Sequence, residues 1–243
     1  SFSVRGAPRM YTLRFISEKL KVRIISFWWD TVSNIFYEEN KEILKNSYKN
    51  VYGDTSLNRS FYRSEKEDLN LGPAMDPNLI FPKENSKRDI DVIFLGSIDS
   101  YRSYRKEYLD KLNFLKMSGY NILIAGGQGD SRLTLEEYFI LLGRSKICIN
   151  FSESSSDNHQ LKGRVYEALA SKCLLLESDN EQTKLFFDDN KEFISFKSAD
   201  EMIQKIIYFL ENEELLVEIA EKGYSKFINK YNYFSYWKKI LDF

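Results

Sequence analysis

The chain has 243 residues, room for one large domain or two ordinary ones. Its 43% hydrophobic and 29% charged residues exclude intrinsic disorder, and a formal net charge of −1 gives no overall reason to expect a nucleic-acid partner. No apolar run approaches the ~18 residues of a membrane span, no signal peptide is visible, and the two cysteines make neither a disulfide framework nor a zinc set.

Cys148 and Cys173 lie in apolar runs and read as small buried side chains, so a reducing, cytoplasmic setting is expected. Ser1 stands where Met would open a chain, and an upstream portion is expected.

In chain order, residues 8–21 predict a helix with Pro8 in its first turn, followed by a strand over 22–28 that ends at Trp29-Asp30. Short helices are expected at 36–45 and 56–66, and strand pieces at 50–54 and 69–73, giving a small α/β layer. The stretch 76–88 holds two of the four prolines and a polar run and reads as a linker. Beyond it the alternation is cleaner. Strands are expected at 91–97, 120–125, 147–151, 173–177 and 193–196. Helices are expected at 104–117, 134–144, 161–171, 184–187, 198–210 and 213–222, with an aromatic-rich last segment from 228. Thr134 with Glu137, and Ser198 with Glu201, have capping-box spacing. Asn212 and Gly223 are placed as the N-cap and the stop of the helix between them. The fold reading is two Rossmann-like α/β layers, the second complete and the first short.

The chain turns on residues 145–178: buried strand, polar Ser/Asp/Asn loop, helix, buried strand. In such a unit ligands sit at the carboxyl ends of the strands, against helix N-termini that carry partial positive charge. Lys162 and Arg164 stand on the first turn of the helix, where each cation opposes the dipole by roughly 0.3–1 kcal/mol. An anionic ligand would offset that cost; two solvated basic side chains are the plainer alternative. Glu167, further along the helix, suits a ribose or sugar diol, or else a surface ion pair. His159, the lone histidine, is either a ligand or proton-transfer group or simply exposed.

Gly96-Ser97 closes a strand and precedes Arg102 and Arg105, a pattern suited to phosphate or to an ordinary turn. Gly126-Gly127 also follows a strand. It lacks both GxGxxG and P-loop spacing, and reads as a tight turn that leaves room for a ligand. Without GxGxxG and its acidic partner, a nucleotide-dependent dehydrogenase is disfavoured. Asp30, at a strand end, could contact substrate, act as a base or cap a helix. Asp89-Ile90-Asp91 matches a DxD pattern but precedes its strand, and reads as a chance match.

Several of these pieces together resemble a known family: Phe94-Leu-Gly-Ser97 with a following Arg, Leu135-Glu-Glu-Tyr138, Ser145-Lys-Ile-Cys-Ile-Asn150, and Lys162-Gly-Arg-Val-Tyr-Glu-Ala-Leu-Ala-Ser171. They are similar to group 1 glycosyltransferases of GT-B fold, in a spore-maturation-protein-like branch. The resemblance covers residues 91–224 and extends loosely upstream.

It implies a partial acceptor-side domain over 1–84, a C-terminal nucleotide-sugar-binding domain over 85–229, and a crossover helix over 230–243 that packs on the first domain. It implies metal-independent sugar transfer from a nucleotide-diphosphate sugar, needing no cofactor, to a glycan, lipid-linked or surface-polymer acceptor, as in polysaccharide biosynthesis. A lipid-linked acceptor would bring peripheral membrane contact. The alternative is a non-catalytic sugar-nucleotide or glycan-binding module. Carried over residue by residue, Glu167 takes the ribose-binding place. Lys162 and Arg164 lie near the diphosphate or sugar, and Gly96, Ser97, Arg102 and Arg105 line the phosphate side. His159 stands where many relatives carry a second Glu. His159 and Asp30 are then the candidates for a base, should the reaction invert.

Overall fold

The computed structural model describes residues 10–28, 47–52, 69–70, 87–97, 100–126, 133–155, 158–159 and 161–241. The helices expected at 36–45 and 56–66 lie outside them. Helix α1 (Met10–Glu18) leads into β1 (Ile25–Trp28), which with β2 (Lys49–Tyr52) and β3 (Leu69–Asn70) forms a parallel sheet in sequence order.

The second sheet carries the main core. Its strands are β4 (Ile90–Leu95), β5 (Ile122–Ala125), β6 (Ser145–Asn150), β9 (Leu174–Ser178) and β10 (Ile194–Phe196). All are parallel, in the order β10-β9-β6-β4-β5. A short antiparallel hairpin, β7 (Glu153–Ser155) and β8 (Asn158–His159), occupies the stretch read as a loop. Helices α2 (Lys106–Met117, entered through a 3-10 turn at Ser100–Arg105), α3 (Leu135–Gly143), α4 (Gly163–Ala170), α5 (Glu181–Lys184), α6 (Ala199–Glu211), α7 (Glu213–Lys230) and α8 (Tyr233–Leu241) complete the described elements.

Period-2 alternation sends side chains of each central strand to opposite faces, and helices cover both. Ile93, Leu95, Cys148 and Leu175 pack with residues of α3, α4 and α7. Val92, Phe94, Ile147, Ile149, Leu174 and Leu176 pack with α2, α6 and the start of α7. Both cysteines are free and buried, as expected.

One helix-end assignment needs correction. The helix expected to stop at Gly223 runs on to Lys230. A Cβ at Gly223 would lie 2.4 Å from the Glu192 carbonyl and 2.6 Å from Leu169 Cδ2, so this glycine permits a close helix approach rather than a terminus. Asn212 occupies the N-cap position of α7 without a side-chain cap; its Nδ2 donates instead to the Tyr208 carbonyl at 2.7 Å and finishes α6.

After α7 the chain crosses back onto the first sheet. Asn232 Oδ1 accepts from Ser235 N at 2.9 Å and starts α8. Tyr236 and Ile240 of α8 pack with Val51 and Ile25, and Trp237 meets Phe27 edge-on at 6.3 Å. Lys49 Nζ donates to the Lys239 and Ile240 carbonyls at 3.5 and 3.3 Å, where a cation complements a helix C-terminus. The fold is thus a mixed α/β arrangement of two parallel sheets, with the terminal helix joining the second unit to the first.

Candidate active site

The strand order places β4 between β5 and β6, so the chain departs from β4 in one direction and returns on its other side. Such a reversal opens a crevice at the carboxyl ends of the strands. A cavity of about 500 Å³ lies there, lined by the ends of β4 and β5 (Leu95, Gly96, Ser97, Gly126), the start of α3, and Tyr138, Arg164 and Glu167.

Two glycines shape its floor. Gly96 N donates to the Ala125 carbonyl at 2.9 Å. Gly126 has φ +108, and a Cβ there would stand 2.7 Å from Gly96 N. Only glycine meets both the dihedral and the approach without strain. A Cβ at Gly96 would lie 2.9 Å from Phe94 Cζ and 3.3 Å from Arg164 Nη1, so its absence admits the guanidinium.

Arg164 and Glu167 are three residues apart on α4 and share a face. Between them stands Tyr138 of α3. Its hydroxyl donates to Glu167 Oε2 and accepts from Arg164 Nε at 3.4 Å. Arg164 Nη1 donates to Asn150 Oδ1 at 3.4 Å, at the end of β6. Burial raises the Tyr138 hydroxyl far above its ordinary value; Arg164 opposes that and Glu167 adds to it. The phenol therefore stays protonated and donates throughout the physiological range.

The start of α3 is held by the expected capping box. Glu137 N donates to Thr134 Oγ1 at 3.2 Å, and Thr134 N to Glu137 Oε2 at 2.8 Å. The Thr134 N–H and hydroxyl hold the Glu137 carboxyl below its ordinary value. At α4 the N-cap is Lys162, which contributes no side-chain cap; an ammonium has no acceptor to offer. Arg164 and Glu167 are the charged side chains among the lining residues.

Of the residues singled out from sequence, Gly96, Ser97, Gly126, Arg164 and Glu167 meet at this cavity. Lys162 occupies the N-cap position of α4 and is not among the lining residues. Arg105 is buried elsewhere: its guanidinium donates to the Ser97 carbonyl at 2.9 Å, the Phe151 carbonyl at 3.4 Å and the Tyr104 hydroxyl at 3.1 Å. It braces the turn at Ser97 through the backbone. His159 is described by its backbone alone, paired with Glu153 in the hairpin. The Arg102 side chain, Asp30 and Gly127 lie outside the described residues. Asp89 and Asp91 stand at the opposite end of β4, Asp91 roughly 16 Å along the strand from Gly96 and Asp89 further still. Asp89 pairs with Arg144 at 2.6 Å, and Asp91 accepts from Asn121 N at 2.9 Å. Among the described residues no three His, Cys, Asp or Glu side chains gather as a metal site. Sequence reasoning did not assign Tyr138 or Asn150 to the site. The available signal was an aromatic hydroxyl one turn past a capping box that opens toward a strand end.

The glycosyl transferase-like family model matches residues 102–242, more than half of the chain, and the chain belongs to that family. No curated protein matches it significantly. Among solved structures, a glycosyltransferase from Rickettsia africae is 15% identical with a TM-score of 0.67, over 96% of this chain and 78% of that one. HepE of Anabaena in complex with UDP and glucose is 9% identical with a TM-score of 0.68, over 99% and 75%. A variant of TarM from S. aureus in complex with fondaparinux, α-GlcNAc-glycerol and UDP is 16% identical with a TM-score of 0.62, over 89% and 50%. The fold is that of GT-B glycosyltransferases, as the sequence resemblance implied.

Proposed function

We propose that this chain transfers a hexosyl-type sugar from a nucleotide-diphosphate sugar to a carbohydrate or glycolipid acceptor, without a metal ion. The observation that carries the reading is the Glu167–Tyr138–Arg164 cluster in a cavity at the switch point of the second sheet. A carboxylate has acceptor capacity beyond its bond from Tyr138, and Glu167 takes the ribose hydroxyls. The diphosphate lies toward Gly96, Ser97 and Gly126, where the glycines allow close backbone approach. As the glycosidic bond breaks, negative charge grows on the departing diphosphate, and the transition state is oxocarbenium-like. Arg164 and the N-termini of α3 and α4 stabilise that charge from fixed positions, the role a divalent cation would otherwise take.

Family membership supports the transferase reading, and the structures of HepE with UDP and glucose are consistent with a sugar-nucleotide donor. We also propose the spore-maturation-protein-like branch, for which the Arg164-Val-Tyr-Glu-Ala-Leu-Ala170 run followed by an apolar strand is the most specific piece. The test is release of nucleoside diphosphate from a panel of sugar nucleotides in the presence of chelator, with glycan and lipid-linked acceptors. Turnover that survives chelation and falls in Arg164→Ala is expected. Strict metal dependence would overturn the leaving-group assignment. Binding of nucleotide with no transfer from any donor would favour a binding module.

A further inference from the structure

Beneath the cavity, at the ends of β6 and β9, a group of polar side chains is buried. Asn150, Ser152, Glu177, Asn180 and Thr183 are each 0–1% exposed. Glu177 follows three leucines on β9 and stands directly across from Asn150. Its Oε1 accepts from Asn150 Nδ2 at 2.8 Å and from the Ser152 hydroxyl. Its Oε2 is fully buried and, among the described residues, has no hydrogen bond. The groups beside it, Asn180 and Thr183, bond each other at 3.1 Å. A buried carboxyl with an unpaired oxygen is costly, and such exceptions to good packing concentrate at functional sites.

We propose that Glu177 is a positioning residue for Arg164, acting through the side-chain amide of Asn150. The inference rests on the reading of the cavity as a nucleoside-diphosphate site. An amide has one donor end and one acceptor end. Glu177 and Ser152 lie on one side of Asn150, and there Glu177 Oε1 accepts from the amide. The Nδ2 end is therefore fixed toward Glu177, and Oδ1 is left facing Arg164 Nη1. Without an acceptor at position 177 the NH2 end of the buried amide is left unpaired, and the side chain is no longer anchored with Oδ1 against the guanidinium. Among the described residues, Arg164 would then keep only its hydrogen bond to Tyr138. The Ser152 bond and the Glu177 bond link this setting to the loop that follows β6, so the arginine's place depends on two strands rather than on its own helix.

The test compares Glu177→Gln, which keeps an acceptor for Asn150, with Glu177→Leu, which removes it. Two readouts are needed: affinity for UDP, GDP, ADP and CDP, and the ¹⁵N relaxation of the Arg164 Nε–H group. In Glu177→Leu the affinity for the preferred diphosphate should fall about tenfold, the loss expected for one charge-assisted hydrogen bond, while the fold is retained. The Arg164 Nε–H should become mobile. Glu177→Gln should restore affinity to within about threefold, with Arg164 again restrained. Asn150→Ala cuts the relay from its other end and keeps the test decisive if Glu177→Leu does not fold. Unchanged affinity and an unchanged Arg164 signal in a folded Glu177→Leu or Asn150→Ala variant would overturn the proposal. Failure of the wild-type chain to bind any diphosphate would sink the cavity's reading, while the relaxation arm would still decide the positioning.

Discussion

Replacing Glu177 with glutamine should make the stability of the protein less dependent on pH. Burial pushes the Glu177 carboxyl up from an ordinary 4.5 to about 7, against the lowering effect of the bonds from Ser152 and Asn150 and of the Thr183 and Asn180 side chains beside it. The folded state therefore keeps a proton that the unfolded chain gives up. Stability from this group is complete below about pH 4.5 and is lost as pH rises to about 7. The shift of about 2.5 units, at 1.36 kcal/mol per unit, amounts to roughly 3 kcal/mol. That is a large part of the 5–15 kcal/mol typical of a folded domain, and for a chain of this size corresponds to roughly 6–12 °C in Tm. The assay is urea unfolding of wild type and Glu177→Gln at intervals from pH 4.5 to 8.5. The difference between the two proteins cancels the titration of all other groups. Relative to the variant, wild type should lose roughly 3 kcal/mol across this window, with most of the loss complete by pH 7.5. A difference that stays constant, or that favours wild type as pH rises, would refute the reasoning.

Gly126→Ala should lower stability by at least 1–3 kcal/mol, the approximate cost of a left-handed dihedral in a non-glycine residue, with further loss from the 2.7 Å approach to Gly96 N. Denaturant midpoints would show it, and a midpoint equal to wild type would mean the turn is built otherwise. Tyr138→Phe keeps the ring that packs edge-on against Phe139 at 5.2 Å and removes only the hydroxyl between Glu167 and Arg164. Diphosphate affinity should fall about tenfold or more, because two bonds to charged groups are lost. An affinity equal to wild type would remove Tyr138 from the site.

The second sheet was legible because its strands are short apolar runs separated by turn residues, a pattern that survives without knowledge of the neighbours. The capping box at Thr134 was legible for the same reason: its chemistry is local. Gly223 misled because a glycine that makes room where a Cβ would stand 2.4 Å from a carbonyl and one that ends a helix look alike in sequence. Arg105 shows the corresponding ambiguity at the site. An arginine after a Gly-Ser turn can grip a phosphate or brace a carbonyl, and here it donates to Ser97 and Phe151. Arg164 and Glu167 were readable as a pair on one helix face. Tyr138 and Asn150, which connect and orient them, come from other elements, and only the folded chain brings them together.

The central claim is that Glu167 and its neighbours bind a nucleoside diphosphate. Calorimetric titration of wild type and Glu167→Ala with UDP, GDP, ADP and CDP tests it most directly. Wild type should bind at least one of the four. In Glu167→Ala that affinity should fall on the order of 10- to 100-fold, the loss expected for hydrogen bonds to a charged group, with a melting profile close to wild type. Equal affinity in the two proteins for every diphosphate would contradict it.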